Sequence, residues 1–455
     1  MVNHTKLISS LTSSALPPNT KRWLSAYLKG RMANCRYNDT TSPFRHARTG
    51  VPQGSCISPV LFNYYVSSYP DSNLLSSSYA DDFTDSSSHP HPSTAAEALS
   101  AHATRVGAWA SDRGLAISTT KSTVTLFTPD FRESHLHPSV FLNNSTLPLV
   151  RNPRILGVTF DPHFTFTPHI KSIVSRAAPR LNILKALAGT KWGQQKETII
   201  ITFKSLIRSI FTYAAPIWFP NSSPSAIKQL QTIQNSALRI ATGCVMMSSI
   251  DHLHAETSVL PVHNHLSLLC SQHLAKSLHP THPSFNIVTS SSGPRSMKHT
   301  LQSCFAPLLT PHLSENIILN PKPVIKILHT EAVASAIASR APNRVLESPP
   351  PDIAEEESSL PRAHRTALAQ LRSGFCSSLN GYRETVRFTT DPLCPSCRRA
   401  PHTVHHLFSC RDHPTPLVVV DLWRRPGLVS DYTSSLPFFY LSPRPRPPPE
   451  RPPNE

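Results

Sequence analysis

The sequence predicts an α+β fold, and three features predict it. Up to about residue 165, apolar residues at helical spacing alternate with short strand-like stretches bounded by turn residues. From Ile170 to Ile240 the pattern becomes helical and basic. Beyond Gly243 the chain is rich in His, Ser and Pro, and its end, "SPRPRPPPERPPNE", cannot pack a core and reads as an extended, disordered tail.

In order along the chain, residues 4–30 place Leu7, Ile8 and Leu11, then Trp23, Leu24, Tyr27 and Leu28, at helical spacing. "RMANCRYN" and "SPFRHARTG" read as strands leading into a glycine turn. In "TGVPQGSCISPVLFNYYVSSY" (Thr49–Tyr69), Gly50 and Gly54 bracket a tight loop, and the bare backbone at Gly54 lets a ligand approach closely. Ser58 and Pro59 mark a helix start, with Leu61, Tyr65 and Tyr69 following on one face and Gln53 left on the loop. An ordinary strand-to-helix turn would give the same local pattern. Residues 74–87 read as a hairpin with "YADD" at its tip, residues 95–114 as a helix, and "LAISTTKSTVTLF" and "RILGVTF" as strands. Then Ile170, Ile173, Val174, Ala177, Leu181 and Leu184 share a helical face that excludes Lys171, Arg176, Arg180 and Lys185. A solvated face and a binding face both suit that pattern.

Charge narrows the choice of partner. The 455 residues carry 44 Lys and Arg against 27 acidic residues, a net charge of +17, which suits a polyanion such as nucleic acid, though a merely soluble basic surface has the same composition. No apolar stretch is long enough to span a bilayer, and "MVNHTKLISS" has no signal-peptide core, so the chain is expected inside the cell with no membrane partner. Nine scattered cysteines do not read as a secreted disulfide framework.

Two stretches carry chemistry. In "SYADDFTDSS", Asp81 and Asp82 are adjacent carboxylates with no basic neighbour, an arrangement suited to a cation. In "LCPSCRRAPHTVHHLFSC", Cys394, Cys397, His406 and Cys410 follow the order C-x-x-C, eight residues, H-x-x-x-C, a ligand set that Zn²⁺ takes in structural sites. His405 could replace His406, and His402 and His413 fit less well.

"GVPQGSCISPVLFN" followed by "YADD" resembles the reverse transcriptases, most closely those of non-LTR (LINE-type) retrotransposons. "GLAISTTKSTVTLF" resembles the family's strand-and-lysine segment and "RILGVTFD" its primer grip, while "TYAAPIWFPNS" and "LQTIQNSALRIATG" look like its thumb. The resemblance implies a right-hand polymerase, with a partial palm over residues 1–165 and a helical thumb over 166–245. A connector over 246–387, a CCHC zinc-knuckle-like segment over 388–415 and a proline-rich disordered tail over 416–455 complete the expected organisation. It implies RNA-directed DNA synthesis with Mg²⁺, on an RNA template, a DNA primer or target, and deoxynucleotides. No protein partner is implied. Asp81 would bind metal with Asp82 beside it, and Lys121 would assist departure of pyrophosphate. Gln53, Gly54 and Ser55 would contact template or nucleotide, and Leu156, Gly157 and Val158 would hold the primer. The Zn²⁺ cluster is similar to the C-terminal one of many LINE-type elements. Target-primed integration implies the nucleus, with the cytoplasm as the alternative.

One carboxylate is missing from this pattern. A two-metal clamp needs a carboxylate from a second strand, and before Asp81 the chain holds only Asp39, in a polar turn, and Asp71, at a loop start. Val2, Asn3 and His4 match residues just downstream of the family's first catalytic motif, so the reading is of a truncated frame, inactive alone. A non-catalytic nucleic-acid-binding remnant and a relic reading frame are the alternatives.

Overall fold

In the computed structural model, which describes residues 2–189, 192–286, 319–387 and 391–439, the chain divides into two units, Met1–Phe164 and Thr165–Glu455. In the first, the Asn3 side chain accepts the Lys6 N–H at 3.2 Å and so caps α1 (His4–Ser13), which buries Leu7 and Leu11. Proline opens α2 (Pro18–Leu28), which buries Leu24 and Leu28. These join Val2 and the buried Leu61, Tyr65 and Val66 of α3 (Ser58–Val66) in one apolar cluster. Tyr65 is fully buried, and its hydroxyl donates to the carbonyl of Arg113, just beyond α4 (Pro92–Asp112). Arg113 Nη1 in turn donates to the Tyr65 carbonyl at 3.3 Å.

The strands of this unit are short, and among the described residues every sheet has two strands. β1 (Met32–Ala33) pairs with β4 (Arg45–His46), enclosing β2 (Arg36–Tyr37) and β3 (Thr40–Thr41), and all eight residues are exposed. β5 (Leu75–Tyr79) and β6 (Asp82–Ser86) form the expected hairpin, antiparallel from Leu75 opposite Ser86 to Tyr79 opposite Asp82. β7 (Phe141–Leu142) pairs with β8 (Ser145–Thr146), and β9 (Arg154–Ile155) with β10 (Val158–Thr159). "LAISTTKSTVTLF" departs from expectation. Instead of a strand it forms a turn in which Ser118 accepts the Lys121 and Ser122 N–H groups, and only Val124 bridges, to Leu149. Its Ser-Thr-Thr-Lys-Ser core satisfies its own backbone locally, so it needs no ladder.

The second unit is helical. α5 (Thr167–Ala177) and α6 (Leu181–Leu187) bury Ile170, Ile173, Ala177 and Leu184 and leave Lys171, Arg176, Arg180 and Lys185 exposed. α7 (Lys196–Phe203) runs through one π turn, Lys204–Arg208, into α8 (Ser209–Thr212), and α9 (Ala215–Trp218) buries Trp218. The long α10 (Pro224–Thr242) is capped by Ser223, which accepts the Ala226 N–H, and ended by Gly243 at φ 70°, a left-handed position suited to glycine. α11 (Ile250–Thr257) packs on α10, and α12 (Val262–Ser277) shares an apolar cluster with α13 (Pro321–Ala338).

The stretch expected to be a connector therefore carries core elements. α14 (Arg362–Arg372) is amphipathic, and its Arg362 donates to the carbonyls of Gly189 (2.7 Å), Gln194 (2.7 Å), Ile240 (2.8 Å) and Ala241 (3.2 Å), closing the end of α10. The boundary of the expected tail needs correction. Residues 416–439 are folded, with α17 (Asp421–Arg424) and α18 (Pro426–Ser435) following α15 (Asn380–Arg387) and α16 (Val404–Leu407). Leu417, Leu422, Trp423, Val429, Leu436 and Phe439 are buried in one cluster with Leu368, Leu371, Val404 and Leu407. Apolar residues at helical spacing overrule the flanking prolines there; the proline-rich end proper, residues 440–455, lies outside the described residues.

At the centre of this unit lies a closed set of charges. Arg372, fully buried, donates from Nη1 to both Glu256 oxygens at 2.7 and 3.0 Å and from Nη2 to Glu357. Lys196 Nζ stands 3.5 Å from each of these carboxylates, and Arg365 lies 3.8 Å from Glu357 and pairs with Glu197 at 2.5 Å. Three cations thus face three anions. Burial opposes ionisation of Glu256, but Arg372 and Lys196 outweigh it and hold its carboxyl at about 2. Burial, with Glu256 alongside, pushes the Glu357 carboxyl up.

Removing Arg372 leaves two buried carboxylates facing only Lys196 and Arg365. Arg372→Met is therefore expected to cost about 3–5 kcal/mol in urea unfolding, with Glu357→Gln, which removes the carboxylate disfavoured by burial, costing less. The Glu256 contribution is present above the ordinary carboxylate range and is lost as pH falls from 4.5 toward about 2, so Glu256→Gln should lack that part of the acid transition. Equal costs for the two single variants at pH 7, Arg372→Met and Glu357→Gln, would contradict this account.

Candidate functional site

The β5–β6 hairpin divides its acidic residues between two faces. Along β6 burial alternates, so Asp82, Thr84 and Ser86 face outward while Phe83 and Asp85 face inward. Ala80 and Asp81 make the two-residue turn, with Ala80 at φ 53°. Asp81 and Asp82 are exposed, and neither carboxylate has an ion pair or side-chain hydrogen bond among the described residues. That leaves both free to meet a cation.

The inner face is what holds the tip. Phe83 stacks on Tyr69 with ring centroids 4.7 Å apart, and Trp109 of α4 meets both rings edge-on. The Tyr69 hydroxyl donates to Asp85 Oδ2 at 2.7 Å, and His102 Nε2 stands 3.5 Å from Asp85 Oδ1. Burial and the Asp85 carboxylate push the Tyr69 hydroxyl strongly up, so it stays a protonated donor. Sequence reading missed Tyr69, Asp85 and His102. The alternation of "DFTDS" was the available signal, because it sends Asp85 to the face opposite Asp82.

The loop before α3 is pinned at both ends. The Gly50 N–H donates to the Val2 carbonyl at 2.7 Å, His4 Nε2 lies 2.7 Å from the Gly50 carbonyl, and Asn3 bridges to Thr49. At the far end the Tyr27 hydroxyl donates to Ser55 Oγ at 2.7 Å. Between these anchors Gln53 and Gly54 are exposed, with Gly54 at φ 91°, a backbone geometry that side chains resist. Ser55 is thus a support of the loop as well as a candidate contact.

The other predicted residues lie on separate turns. Lys121 is exposed on the Ser118–Lys121 turn, and among the described residues no hydrogen bond or ion pair joins it to the hairpin. Leu156 and Gly157, at φ 45° and 85°, form the two-residue turn between β9 and β10, and Val158 is buried. Among the described residues no third acid converges on the hairpin tip, and the one group of three or more His, Cys, Asp or Glu side chains placed to share a metal lies elsewhere.

That group is Cys394, Cys397, His406 and Cys410, whose ligand atoms all lie within 4.8 Å of one another. The Sγ atoms of Cys394 and Cys410 are 3.9 Å apart, and Cys397 Sγ is 3.3 Å from His406 Nε2. A tetrahedral site with Zn–S bonds of about 2.3 Å needs edges of roughly 3.8 Å, so the donor set fits Zn²⁺. The knuckle turn supports it. Arg398, at φ 51°, donates its N–H to the Cys394 carbonyl at 3.0 Å, and the Arg399 N–H directed at Cys397 lowers that thiol's pKa. Thr403 caps the short α16 and so places His406. The rival histidines are otherwise engaged or turned away: His402 accepts the Asn380 N–H at 3.2 Å, His413 meets Ser396 Oγ at 2.9 Å, and His405 is exposed.

Comparison with known proteins joins this geometry to a family. Residues 1–160 match the family described as reverse transcriptase (RNA-dependent DNA polymerase). Over 250 residues the chain is 25% identical to the probable RNA-directed DNA polymerase from transposon X-element of Drosophila melanogaster, covering 54% of this chain and 27% of the relative. It is 26% identical over 253 residues to the probable RNA-directed DNA polymerase from transposon BS of the same fly, covering 54% and 28%. With the RNA-directed DNA polymerase from mobile element jockey of Drosophila funebris it shares 23% identity over 239 residues, covering 50% and 26%. The chain thus spans about a quarter of the length of these relatives. The "GVPQGS" loop pinned beside α1 and the aspartates at the hairpin tip both lie within residues 1–160, the segment that is similar to the reverse transcriptases, and the relatives named are RNA-directed DNA polymerases of transposons and mobile elements.

Proposed function

We propose that the chain is part of an RNA-directed DNA polymerase of a non-LTR retrotransposon, acting on an RNA template, a DNA primer and deoxynucleotides. The observation that carries this reading is the pair of unpaired, exposed carboxylates on a tip held from behind by Tyr69, Phe83, Asp85 and His102. Mg²⁺, when bound, would supply charge neutralisation and Lewis acidity to the transferring phosphoryl group. Asp81 and Asp82 would hold it, and the Asp85 contacts would keep the two carboxylates oriented as charge builds. Gln53, Gly54 and Ser55 would present the loop to template and nucleotide, Lys121 would donate to the leaving pyrophosphate, and the Leu156–Val158 turn would support the primer. Such work would be done in the nucleus.

Two carboxylates from one hairpin tip cannot bridge two ions, and no third acid among the described residues reaches them. This favours, as a second reading, a chain that binds nucleic acid without catalysis. Primer extension on an RNA template separates the two. The chain of 455 residues is expected to show none. A chimera carrying, ahead of Val2, the part of the X-element polymerase that precedes its matched segment should extend. Asp81→Ala should return that chimera to background, and Asp85→Ala should cost it about 10–100-fold. A folded, template-binding chimera that never extends would leave the binding reading in place.

For the C-terminal cluster we propose a structural Zn²⁺ site. The chain should bind one Zn²⁺ equivalent, and Co²⁺ in its place should give thiolate-to-metal absorption that Cys397→Ser diminishes. Absorption unchanged in that variant would remove the site.

The exposed cations on α5 and α6 are proposed to touch phosphate backbone. Replacing Lys171, Arg176, Arg180 and Lys185 together should flatten the dependence of affinity on salt, by up to about 0.9 in log–log slope on duplex DNA for each phosphate that is no longer neutralised. An unchanged slope would make this a solvated face only.

A further inference from the structure

The α2 helix sends two apolar stripes in different directions. Leu24 and Leu28 are buried in the first unit's core, whereas Trp23, one residue before Leu24, is 54% exposed. The one ring that Trp23 meets among the described residues is Tyr27, with centroids 5.8 Å apart and planes 20° from parallel, so the two are stacked. Arg31, four residues beyond Tyr27 as Trp23 is four before it, sets its guanidinium carbon 4.8 Å from the Tyr27 centroid, and its Nη1 donates to the Tyr27 carbonyl at 3.3 Å. Trp23, Tyr27 and Arg31 thus form a run of three planar groups with its indole end in solvent.

Two further observations say what such a run meets. It is tied to the loop before α3, because the Tyr27 hydroxyl donates to Ser55 Oγ at 2.7 Å, and to the β1–β4 pair, because the Arg31 carbonyl accepts the Ala47 N–H at 2.9 Å. Its surroundings are also cationic. The first 70 residues hold eight Lys and Arg and one acid, Asp39. Lys21 donates to the Thr12 carbonyl and Arg22 to the Asn19 side chain, and among the described residues no ion pair engages Lys21, Arg22, Lys29 or Arg31. A lone exposed aromatic is ordinary on a protein surface. One that is backed by a second ring and set among unpaired cations combines the two features that hold single strands, a face for bases and charge for phosphates. The charge also favours a polyanion over an apolar protein surface.

We propose that Trp23 is a stacking platform for an unpaired base of single-stranded nucleic acid, with Tyr27 and Arg31 fixing the indole plane and the neighbouring cations neutralising the strand's phosphates. A base on the indole lengthens a row that Tyr27 and Arg31 already begin. A duplex, whose bases are stacked on one another, offers no free face along its length. The inference deepens the template contact proposed for Gln53, Gly54 and Ser55, and it rests on that reading for the identity of the strand as template.

The test is binding of the full chain to a uridine strand of about six nucleotides, within the size of one such site, and to a blunt RNA duplex. Trp23→Ala should weaken binding of the strand by about tenfold. It should leave duplex affinity and the salt dependence unchanged, because no phosphate contact is removed. Trp23→Phe, which keeps a ring, should retain most of the affinity, and Trp23→Leu, which keeps only apolar bulk, should bind as weakly as Trp23→Ala. The strand should also quench tryptophan emission in the wild type, and less in Trp23→Phe. At an exposed position all three variants should melt within about 2 °C of wild type, and the two milder ones decide the matter if Trp23→Ala does not fold. Wild-type affinity for the strand in Trp23→Ala or in Trp23→Leu, or equal losses on strand and duplex, would overturn the proposal. The assay extends no primer, so the two readings fail separately. A chimera that never extends while Trp23 still stacks counts against the polymerase, and an active chimera indifferent to Trp23→Leu in strand binding counts against the platform.

Discussion

The second unit depends on the dehydration of Arg372. A guanidinium with no exposure needs its acceptors in place before the surrounding apolar surface closes, and here they come from α11 and from the short turn at Glu355–Ser359. Lys196 then draws in α7, and Arg365 adds a second cation from the helix that carries Arg372, so three stretches far apart in sequence, Lys196–Phe203, Ile250–Thr257 and residues 355–372, share one charge-neutral centre. Apolar packing alone would tolerate several registers among amphipathic helices. A centre that is neutral only in one arrangement penalises the others, and the face of Trp423 over the Arg372 guanidinium, at 5.9 Å, seals it.

The first unit handles charge in the opposite way. β6 turns one carboxylate to the half-buried inner face and exposes another, and strand periodicity makes that separation. Asp85 is held by a protonated tyrosine and stands against a buried histidine, which anchors the hairpin, while Asp81 and Asp82 stay in water at its tip. The short, mostly exposed strands around it give no other rigid support among the described residues. The aromatic trio of Tyr69, Phe83 and Trp109 therefore does for this hairpin what further strands do in a larger sheet.

Local pattern makes the hairpin, the α3 start, the amphipathic faces of α5 and α6 and the four-ligand Cys/His order legible in the sequence, because each rests on spacing within a few residues. What stays hidden is long-range. Nothing within "VNH" announces that Val2 and His4 grip Gly50, since the pairing appears only when α1 folds back on α3. Arg362 and Arg372 read as the polar side of an amphipathic helix, yet both are buried because their partners lie more than a hundred residues away in Ile240, Ala241 and Glu256. Residues 416–439 read as tail only when proline content is weighed above the apolar spacing of Leu417, Leu422, Trp423, Val429 and Leu436. Proline at a helix start, as in α18, is a beginning and not a break.

That last segment changes what the Cys/His cluster can do. A knuckle on a loose tether would order only its own loop when it took up metal. Here Cys394 and Cys410 are buried, Leu407 lies between two of the ligands and inside the shared apolar cluster, and the Tyr432 hydroxyl of α18 donates to the carbonyls of Leu407 and His413 at 2.8 and 3.2 Å. The cluster also contains Leu368 and Leu371 of α14, the helix whose two ends bear Arg362 and Arg372. At the proposed site, metal-binding free energy gained at the thiolates would thus be coupled, through continuous packing, to the helix that closes α10 and completes the buried charge centre. With metal at the proposed site, ordering the knuckle and ordering the helical unit would be parts of one cooperative process.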